Sequence, residues 1–296
     1  MTQRLHFVDT PHLSIAYEVS GPDQGLPVVL LHGWPDDART WDRCVPTLNA
    51  AGLKTFVPFL RGYGPTRFLK PNTFRSGQLS ALGRDLIDFA DALKLASFAV
   101  VGHDWGARAA YIASVLAPER VTRCIALSVG WGTNNPRQTL SLRMVQNYWY
   151  HWYMALDRGA DLVRSDRRAF TRHIWDIWNP NWKISDQEFE ATAVSFDNPD
   201  WADVVLHSYR VRWGHAPTDP TYTAAEAKLL GSPKISVPTL MIHGGADPCN
   251  DPETSAGKED FFTSRYERIV LDGVGHFPQR EAPREVVEAV TRFLRS

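Results

Sequence analysis

The chain has 296 residues, and its 32 Lys and Arg residues nearly balance 33 Asp and Glu residues. A formal net charge of −1, with no run of five Lys or Arg residues, argues against binding to a nucleic-acid backbone. The cysteines Cys44, Cys124 and Cys249 are far apart and form no CxxC pair, so they predict neither a disulfide framework nor a zinc cluster. We therefore expect a globular protein of the reducing cytoplasm, without a metal or another cofactor.

Membrane insertion and export are not predicted either. Charges or Gly and Pro residues interrupt every apolar stretch well before the length of about 18 residues that a spanning helix needs. The N-terminal sequence MTQRLHFVDT has no apolar region of the kind that marks an export signal. We expect a small molecule as the partner, and a monomer or homodimer, with no nucleic-acid or membrane partner.

Short apolar runs alternate with helical patterns through the first part of the chain. β-Branched and apolar residues predict strands, and steps of three and four residues between apolar positions predict helices. Strands that alternate with helices are typical of an α/β protein with a mostly parallel sheet. The predicted strands are 13–19, 28–31, 55–60, 98–101 and 123–129, and the predicted helices are 80–93 and 107–116.

The following segment has a different pattern. Residues 133–235 contain amphipathic helical stretches and no convincing strand, and eight of the eleven Trp residues lie from Trp131 to Trp213. Later residues predict strands at 239–243 and 268–271 with a helical stretch between them, and a closing helix at 283–294. We therefore expect a core domain of residues 1–132 and 236–296, with residues 133–235 inserted as a helical cap that encloses a pocket.

A strand-turn-helix motif lies at residues 98–111, FAVVGHDWGARAAY. In the related G-x-S-x-G form, small residues at both ends permit a strained turn that holds the middle side chain at the edge of the sheet. The middle residue here is Asp104, and the chain contains no G-x-S-x-G. A carboxylate is already an anion at neutral pH, so Asp104 predicts attack on a saturated carbon to form an ester. An ordinary helix N-cap is the alternative.

Three further strand ends favour the catalytic interpretation. The first carries His32-Gly33-Trp34-Pro35, and the others carry Asp247 and His276. Nucleophile, acid and histidine in this order are typical of the α/β hydrolases, in which backbone N–H groups form an oxyanion hole. The corresponding N–H groups here belong to Trp34 and Trp105. Asp251 is a weaker candidate for the acid.

On these motifs, the sequence resembles the aspartate-nucleophile branch of the α/β-hydrolase superfamily, which contains epoxide hydrolases and dehalogenases. The loop at 32–35 resembles the H-G-x-P loop of epoxide hydrolases, and the turn at 102–106 resembles their elbow. The resemblance implies that Asp104 is the nucleophile, Asp247 the orienting acid and His276 the general base. It implies structural roles for other polar residues: His32, His103, Arg61 and His243.

The leaving group distinguishes the two activities. An alkoxide from an epoxide needs a proton, which two cap tyrosines supply in epoxide hydrolases, whereas a halide needs only N–H donors. Tyr150 and Tyr209 are the candidates for this pair, although Tyr148 and Tyr153 lie on the same predicted first cap helix. Epoxide opening, with an apolar or aromatic substrate, is the favoured function.

Two alternatives stay open at this point. His151 and Trp152 resemble the halide-contacting pair of haloacetate dehalogenases, and Arg108 occupies their position for the substrate carboxylate. Those enzymes also carry Arg directly after the nucleophile, where this chain has Trp105. Haloalkane dehalogenases carry Trp at that position, but many pair it with Asn where this chain has Trp34. A non-catalytic receptor on the same fold is the other alternative, and it would not need a complete set of nucleophile, acid and base.

Overall fold

The computed structural model describes residues 4–133 and 138–296. Its centre is one nine-stranded sheet with the order β1-β2-β4-β3-β6-β7-β8-β9, and β5 pairs with β2 at the side. The strands are β1 (Leu5–Asp9), β2 (Leu13–Ser20), β3 (Leu26–Leu31), β4 (Leu53–Pro58), β5 (Arg67–Phe68), β6 (Phe98–His103), β7 (Val121–Leu127), β8 (Thr239–Gly244) and β9 (Tyr266–Leu271).

Pairing is antiparallel where β2 meets β1, β4 and β5, and it is parallel from β4 through β3 to β9. All residues of β6 and β8 are buried, as expected for central parallel strands that helices cover on both faces. The predicted α/β fold with a mostly parallel sheet is confirmed. The short strands β1 and β5 lie outside the sequence prediction.

Helices cover the sheet and fill the long connection between β7 and β8. They are α1 (Val45–Ala50), α2 (Leu79–Ala92), α3 (Trp105–Leu116), α4 (Leu142–Asn147), α5 (Trp149–Ala155), α6 (Asp157–Ser165), α7 (Arg167–Trp178), α8 (Asp186–Ala193), α9 (Trp201–Arg212), α10 (Thr223–Leu229), α11 (Pro278–Glu281) and α12 (Pro283–Arg295). The helical stretch predicted between β8 and β9 is wrong: the connection contains two short 3-10 helices, Pro252–Ser255 and Glu259–Phe261.

The connection from β7 to β8 carries α4 to α10, and over its described residues no strand occurs. This arrangement agrees with the expectation of a helical insertion, while the bounds at 133 and 235 stay a prediction. Large buried aromatic side chains join the insertion to the sheet: Trp34 of the core lies 5.6 Å from Trp178 of α7, measured between ring centroids. Within the described chain, no helix combines the length and apolar character that crossing a membrane requires.

Candidate active site

The turn between β6 and α3 holds Asp104 in a strained conformation. Its φ of 50° and ψ of −111° are unusual for a residue other than glycine. Glycines on either side make the turn possible, because a Cβ on Gly102 would lie 2.1 Å from the Gly106 carbonyl oxygen, and a Cβ on Gly106 would lie 2.4 Å from the Leu31 oxygen. The carboxylate is thereby fixed at the edge of the sheet, and it is 7% exposed.

The loop after β3 lies directly against this carboxylate. The Trp34 amide donates a hydrogen bond of 2.9 Å to Asp104 Oδ1. A Cβ on Gly33 would lie 2.4 Å from the Asp104 Cβ, so only glycine permits this approach. The Trp105 amide belongs to the first turn of α3, where backbone N–H groups have no acceptor within the helix. Of the two predicted oxyanion-hole amides, the Trp34 amide thus binds the carboxylate, and the Trp105 amide follows Asp104 at the start of α3.

His276 follows β9 and lies between two carboxylates. Its Nδ1 is 2.8 Å from Asp247 Oδ2, and its Nε2 is 4.0 Å from Asp104 Oδ2. The Asp247 carboxylate also accepts hydrogen bonds from the backbone amides of Cys249 and Asn250, at 2.8 and 3.1 Å. The predicted nucleophile, acid and histidine thus come together in one buried line, with Nε2 directed to the Asp104 side.

The electrostatics fit a histidine that is paired with an anion. Burial by itself lowers the pKa of His276, but the charge of Asp247 and its hydrogen bond outweigh burial and raise that pKa above its ordinary value. Burial raises the pKa of Asp247, and the opposing contributions of His276 and His243 more than compensate, so the carboxyl stays ionised. Asp251 lies elsewhere, in an ion pair of 2.9 Å with Arg143.

Two buried tyrosines from the helices between β7 and β8 pack on the Trp34 indole. Tyr150 of α5 stacks on Trp34 with ring centroids 5.3 Å apart, and Tyr209 of α9 meets the edge of the same indole at 5.1 Å. Burial raises the pKa of both phenols well above its ordinary value, and the negative charge of Asp104 contributes in each case. Both phenols therefore keep their protons at neutral pH.

The neighbouring tyrosines point elsewhere. The prediction that residues 148–153 share the first cap helix is wrong, because Tyr148 lies at a break between α4 and α5. Its hydroxyl donates a hydrogen bond of 2.8 Å to Asn250 Oδ1. Tyr153 is half-buried and packs on Trp149 and Phe170. Of the tyrosines in this segment, Tyr150 is the one whose ring stacks on Trp34.

The residues that favoured a dehalogenase have different hydrogen-bond partners. The Trp152 indole N–H donates a hydrogen bond of 2.9 Å to the Val145 carbonyl oxygen, so it is committed within the cap. His151 is buried beside Tyr150 and Tyr209, with ring centroids 4.3 and 4.6 Å away, and its Nδ1 accepts a hydrogen bond from Trp213. Trp152 and His151 therefore do not form a pair of donors that converge on Asp104.

Arg108 lies one helical turn after Asp104, and its guanidinium donates to the carbonyl and hydroxyl oxygens of Thr133. It lines a cavity of about 260 Å³. Arg212, one turn after Tyr209, lines a neighbouring cavity of about 220 Å³ that shares Leu79 and Glu226 with the first. Helices α2, α3 and α10 contribute to the first cavity, and α2, α9 and α10 contribute to the second.

Four polar residues have the structural contacts that the family resemblance implies. His32 Nε2 accepts a hydrogen bond from the Leu60 amide, and His103 Nε2 donates to the His276 carbonyl oxygen. Arg61 forms a buried bidentate ion pair with Asp85, and His243 contacts Ser255 and Asn250. These contacts fix the loops that carry the site.

Some residues at the site were missed by the sequence analysis. Trp178 packs against His276 with ring centroids 4.6 Å apart, and Cys249 Sγ lies 3.6 Å from the Tyr150 hydroxyl. Asp247, Cys249 and His276 also place potential metal-ligand atoms within 4.8 Å of one another. Burial and the charge of Asp247 raise the pKa of Cys249, and His276 Nδ1 already binds Asp247. These three residues therefore fit a hydrogen-bonded His276–Asp247 pair beside a protonated thiol better than a metal centre.

A mostly parallel sheet with a polar side chain on its elbow, and with an acid and a histidine on later strand ends, defines an α/β hydrolase. Residues 27–283 match the model of the alpha/beta hydrolase fold family, and the chain belongs to that family. The fold class that the sequence predicted is thereby confirmed a second time.

Within the family, the chain is similar to two relatives and one solved structure that are assigned as epoxide hydrolases. Epoxide hydrolase A of Mycobacterium tuberculosis is 29% identical over 99% of this chain and 97% of its own length. The epoxide hydrolase of Caballeronia sordidicola is 29% identical over 95% of this chain and 91% of its own length. A crystal structure of a provisionally assigned epoxide hydrolase from Klebsiella pneumoniae is 35% identical, with a TM-score of 0.93 and coverage of 99% and 98%. The predicted resemblance to epoxide hydrolases is confirmed.

Proposed function

We propose that the protein hydrolyses epoxides to vicinal diols through an ester on Asp104. One observation carries the proposal: the buried Asp104 carboxylate lies 4.0 Å from a histidine that is paired with an acid, and two buried tyrosines pack on Trp34, whose amide binds that carboxylate. The 29% and 35% identity to proteins assigned as epoxide hydrolases, over nearly the whole chain, supports the same activity.

The first step forms the ester. Trp34 holds Oδ1 of Asp104, which leaves Oδ2 to attack an epoxide carbon. The new bond joins Oδ2 to that carbon, and the carbon–oxygen bond of the ring breaks. Tyr150 or Tyr209 donates its proton to the departing alkoxide, which is a stronger base than a phenolate. Ester formation and the proton transfer to the alkoxide need no metal or cofactor.

The second step releases the diol. His276 Nε2 takes a proton from a water molecule that attacks the carbonyl carbon of the ester, and Asp247 stabilises the resulting imidazolium. Negative charge then develops on Oδ1, where the Trp34 amide donates, with the Trp105 amide beside it. Collapse of this intermediate breaks the bond between the carbonyl carbon and the substrate oxygen, and that oxygen takes the proton back from His276 as the diol leaves. The carboxyl group of Asp104 then loses its proton and the phenolate regains one, which restores the starting enzyme. Asp104, His276 and Asp247 therefore form the proposed triad.

Arrangement of the cap disfavours the alternative functions. Halide binding by His151 and Trp152 would require the Trp152 indole to leave the Val145 carbonyl oxygen. A receptor without turnover would not need His276 Nε2 near the carboxylate. The proposed substrate is a small epoxide with apolar or aromatic substituents, because Trp34, Trp178 and the two tyrosines provide aromatic surface around Asp104.

A direct turnover assay tests the proposal. Styrene oxide and an aliphatic epoxide should give diol, whereas chloroacetate, fluoroacetate and a haloalkane should release little halide. Asp104→Ala is the matched control for adventitious hydrolysis. Halide release without diol from any epoxide would contradict the assignment and favour a dehalogenase, and binding of styrene oxide without any product would favour a receptor.

A further inference from the structure

Residues 33–37, which carry the Trp34 amide and are called the oxyanion loop here, are bonded to the helical insertion by contacts that the proposed reaction does not use. Asp37 Oδ1 accepts a hydrogen bond of 3.1 Å from the Thr192 hydroxyl, and Oδ2 accepts one of 2.5 Å from the Ser195 hydroxyl. Thr192 lies on α8, and Ser195 lies in the following 3-10 helix, Val194–Asp197. All three side chains are buried.

Arg280 connects the same loop to the segment that carries the proposed base. Its Nε and Nη2 donate to the two oxygens of Asp36 at 2.8 and 2.6 Å, and Nη2 also donates to the Thr192 hydroxyl at 2.9 Å. Because a hydroxyl has one proton and Arg has no acceptor, Thr192 must give its own proton to Asp37. The direction of this hydrogen-bond chain is therefore fixed. We call these residues the cap–loop network: Asp36, Asp37, Thr192, Ser195 and Arg280.

A third contact acts on the loop backbone. The Trp175 indole N–H on α7 donates a hydrogen bond of 2.7 Å to the Pro35 carbonyl oxygen. The Arg280 guanidinium lies 4.8 Å from the centroid of the Trp175 ring, so the cap–loop network also holds this indole in place. The backbone on the C-terminal side of Trp34 is therefore fixed by buried side chains from the insertion.

We propose that Asp37 is a positioning residue that holds the Trp34 amide against Asp104 by tying the oxyanion loop to Thr192 and Ser195 of the cap. This inference rests on the proposed function. Asp37 lies three residues after Trp34 and does not touch the reacting atoms, so its effect on the reaction must pass through the loop. The cap would thus supply both the proton donors and the geometry of the oxyanion hole.

The two chemical steps should respond differently when this tie is weakened. Attack on the epoxide uses Oδ2 of Asp104, whereas ester hydrolysis places new negative charge on Oδ1, the oxygen that Trp34 contacts. Removal of a donor from an oxyanion hole typically lowers the rate about 10²–10³-fold, so partial misplacement of Trp34 should cost about tenfold or more in hydrolysis. Ester formation should change much less.

Asp37→Asn and Ser195→Ala are the test variants. Asp37→Asn keeps the shape of the side chain but leaves one oxygen for the two cap hydroxyls, and Ser195→Ala removes one donor with a smaller disturbance. Ser185→Ala is the matched control, because Ser185 caps α8 through the Glu188 amide and its hydrogen bonds do not involve the oxyanion loop. It tests whether destabilising the helix alone has the same effect.

The experiment mixes each protein with styrene oxide, quenches the reaction at successive times and measures ester and free enzyme by intact mass. The test variants should accumulate ester, because hydrolysis slows about tenfold relative to ester formation, and Ser185→Ala should resemble the wild type. Hydrogen exchange should also be faster in a peptide that contains Trp34 in the test variants only.

Specific results would overturn this inference without affecting the proposed function. If the wild type forms diol and both steps slow equally in the test variants, or if neither step changes, Asp37 does not position the oxyanion hole. If the wild type forms neither ester nor diol, the proposed function fails. In that case hydrogen exchange alone tests whether Asp37 holds the Trp34 segment in place. Unchanged protection of the Trp34 peptide in the test variants would contradict that role.

Discussion

His276 Nε2 lies 4.0 Å from Asp104 Oδ2, beyond hydrogen-bond distance, while its Nδ1 binds Asp247 at 2.8 Å. A base that bonded directly to the nucleophile would suit a hydroxyl that must lose a proton, as in a serine hydrolase. A carboxylate has no proton to lose. The separation instead suits a histidine that acts on water after the ester has formed, and the first two predictions test this order of events.

We predict that His276→Gln traps the ester on Asp104. Glutamine cannot accept the proton of the attacking water, so hydrolysis should slow by about 10²–10⁴-fold while ester formation continues. Intact mass after incubation with styrene oxide should show one added substrate mass, and peptide mapping should locate it at Asp104. The double variant Asp104→Ala/His276→Gln is the control, and an adduct on that protein would contradict the assignment.

Isotope labelling tests which atom the water attacks. If water attacks the carbonyl carbon of the ester, one oxygen of the first diol molecule comes from Asp104 and the solvent oxygen stays in the carboxylate. A single turnover in ¹⁸O-water should therefore give unlabelled diol and a labelled peptide that contains Asp104. Labelled diol in the first turnover would indicate direct attack on the epoxide and would leave Asp104 only an electrostatic role.

The tyrosine pair gives a third prediction. Tyr150→Phe or Tyr209→Phe should slow ring opening, and the double variant should slow it by about 10²–10⁴-fold, because no phenol then protonates the alkoxide. Hydrolysis of a preformed ester should change far less. Tyr153→Phe is a matched control, since that side chain is half-buried and packs on Trp149 and Phe170. Single-turnover kinetics measure both steps, and full activity of the double variant would exclude the pair.

The sequence predicted the parts of the site that depend on short stretches of chain. The elbow around Asp104 and the loop with Trp34 each need a few residues with fixed backbone geometry, so their motifs are recognisable. Tyr150 and Tyr153 both lie on α5, so the choice between them depends on how that helix packs on Trp34 and Phe170, which the continuous aromatic pattern does not show. Tertiary packing therefore decides which side chain of this segment reaches the site.

The cap–loop network could not be predicted for a related reason. Asp37, Thr192 and Arg280 are separated by more than 80 residues from one another, and no periodicity in the sequence links them. An Asp in a loop and a Thr in a helix are ordinary residues in those positions. Their importance follows only from the hydrogen bonds that form when the insertion packs on the sheet, and buried polar groups require such partners.

The pH dependence of ester hydrolysis should report on Asp247. His276 must be neutral to accept a proton, so the rate should fall as pH decreases through the pKa of His276, which Asp247 raises. Asp104, Glu281 and His103 also face this imidazole. Asp247→Asn should lower the rate at least about 100-fold and should move the acid limb to lower pH. An unchanged acid limb in rate profiles from pH 5 to 9 would contradict the pairing.

The last prediction concerns stability and Asp37. Burial, followed by the charge of Asp36, raises the pKa of Asp37 to about 7, although Ser195, Arg280 and Arg39 act in the opposite direction. The unfolded chain releases this proton near pH 4, so between about pH 4 and pH 7 the folded protein binds more protons than the unfolded chain.

It follows that the contribution of Asp37 to the free energy of unfolding decreases as pH rises through this window and is constant above it. Asp37→Asn has no titrating group at this position, so its free energy of unfolding does not decrease for this reason. Its altered hydrogen bonds change the stability by an amount that does not depend on pH. Urea unfolding of both proteins at pH 5, 6, 7 and 8 should therefore show the wild type losing stability relative to the variant up to about pH 7. A difference that stays constant, or that grows in favour of the wild type, would mean that Asp37 is ionised throughout this range. The two hydroxyls and the Arg39 amide, which donates to Oδ1 at 2.9 Å, would then outweigh its burial.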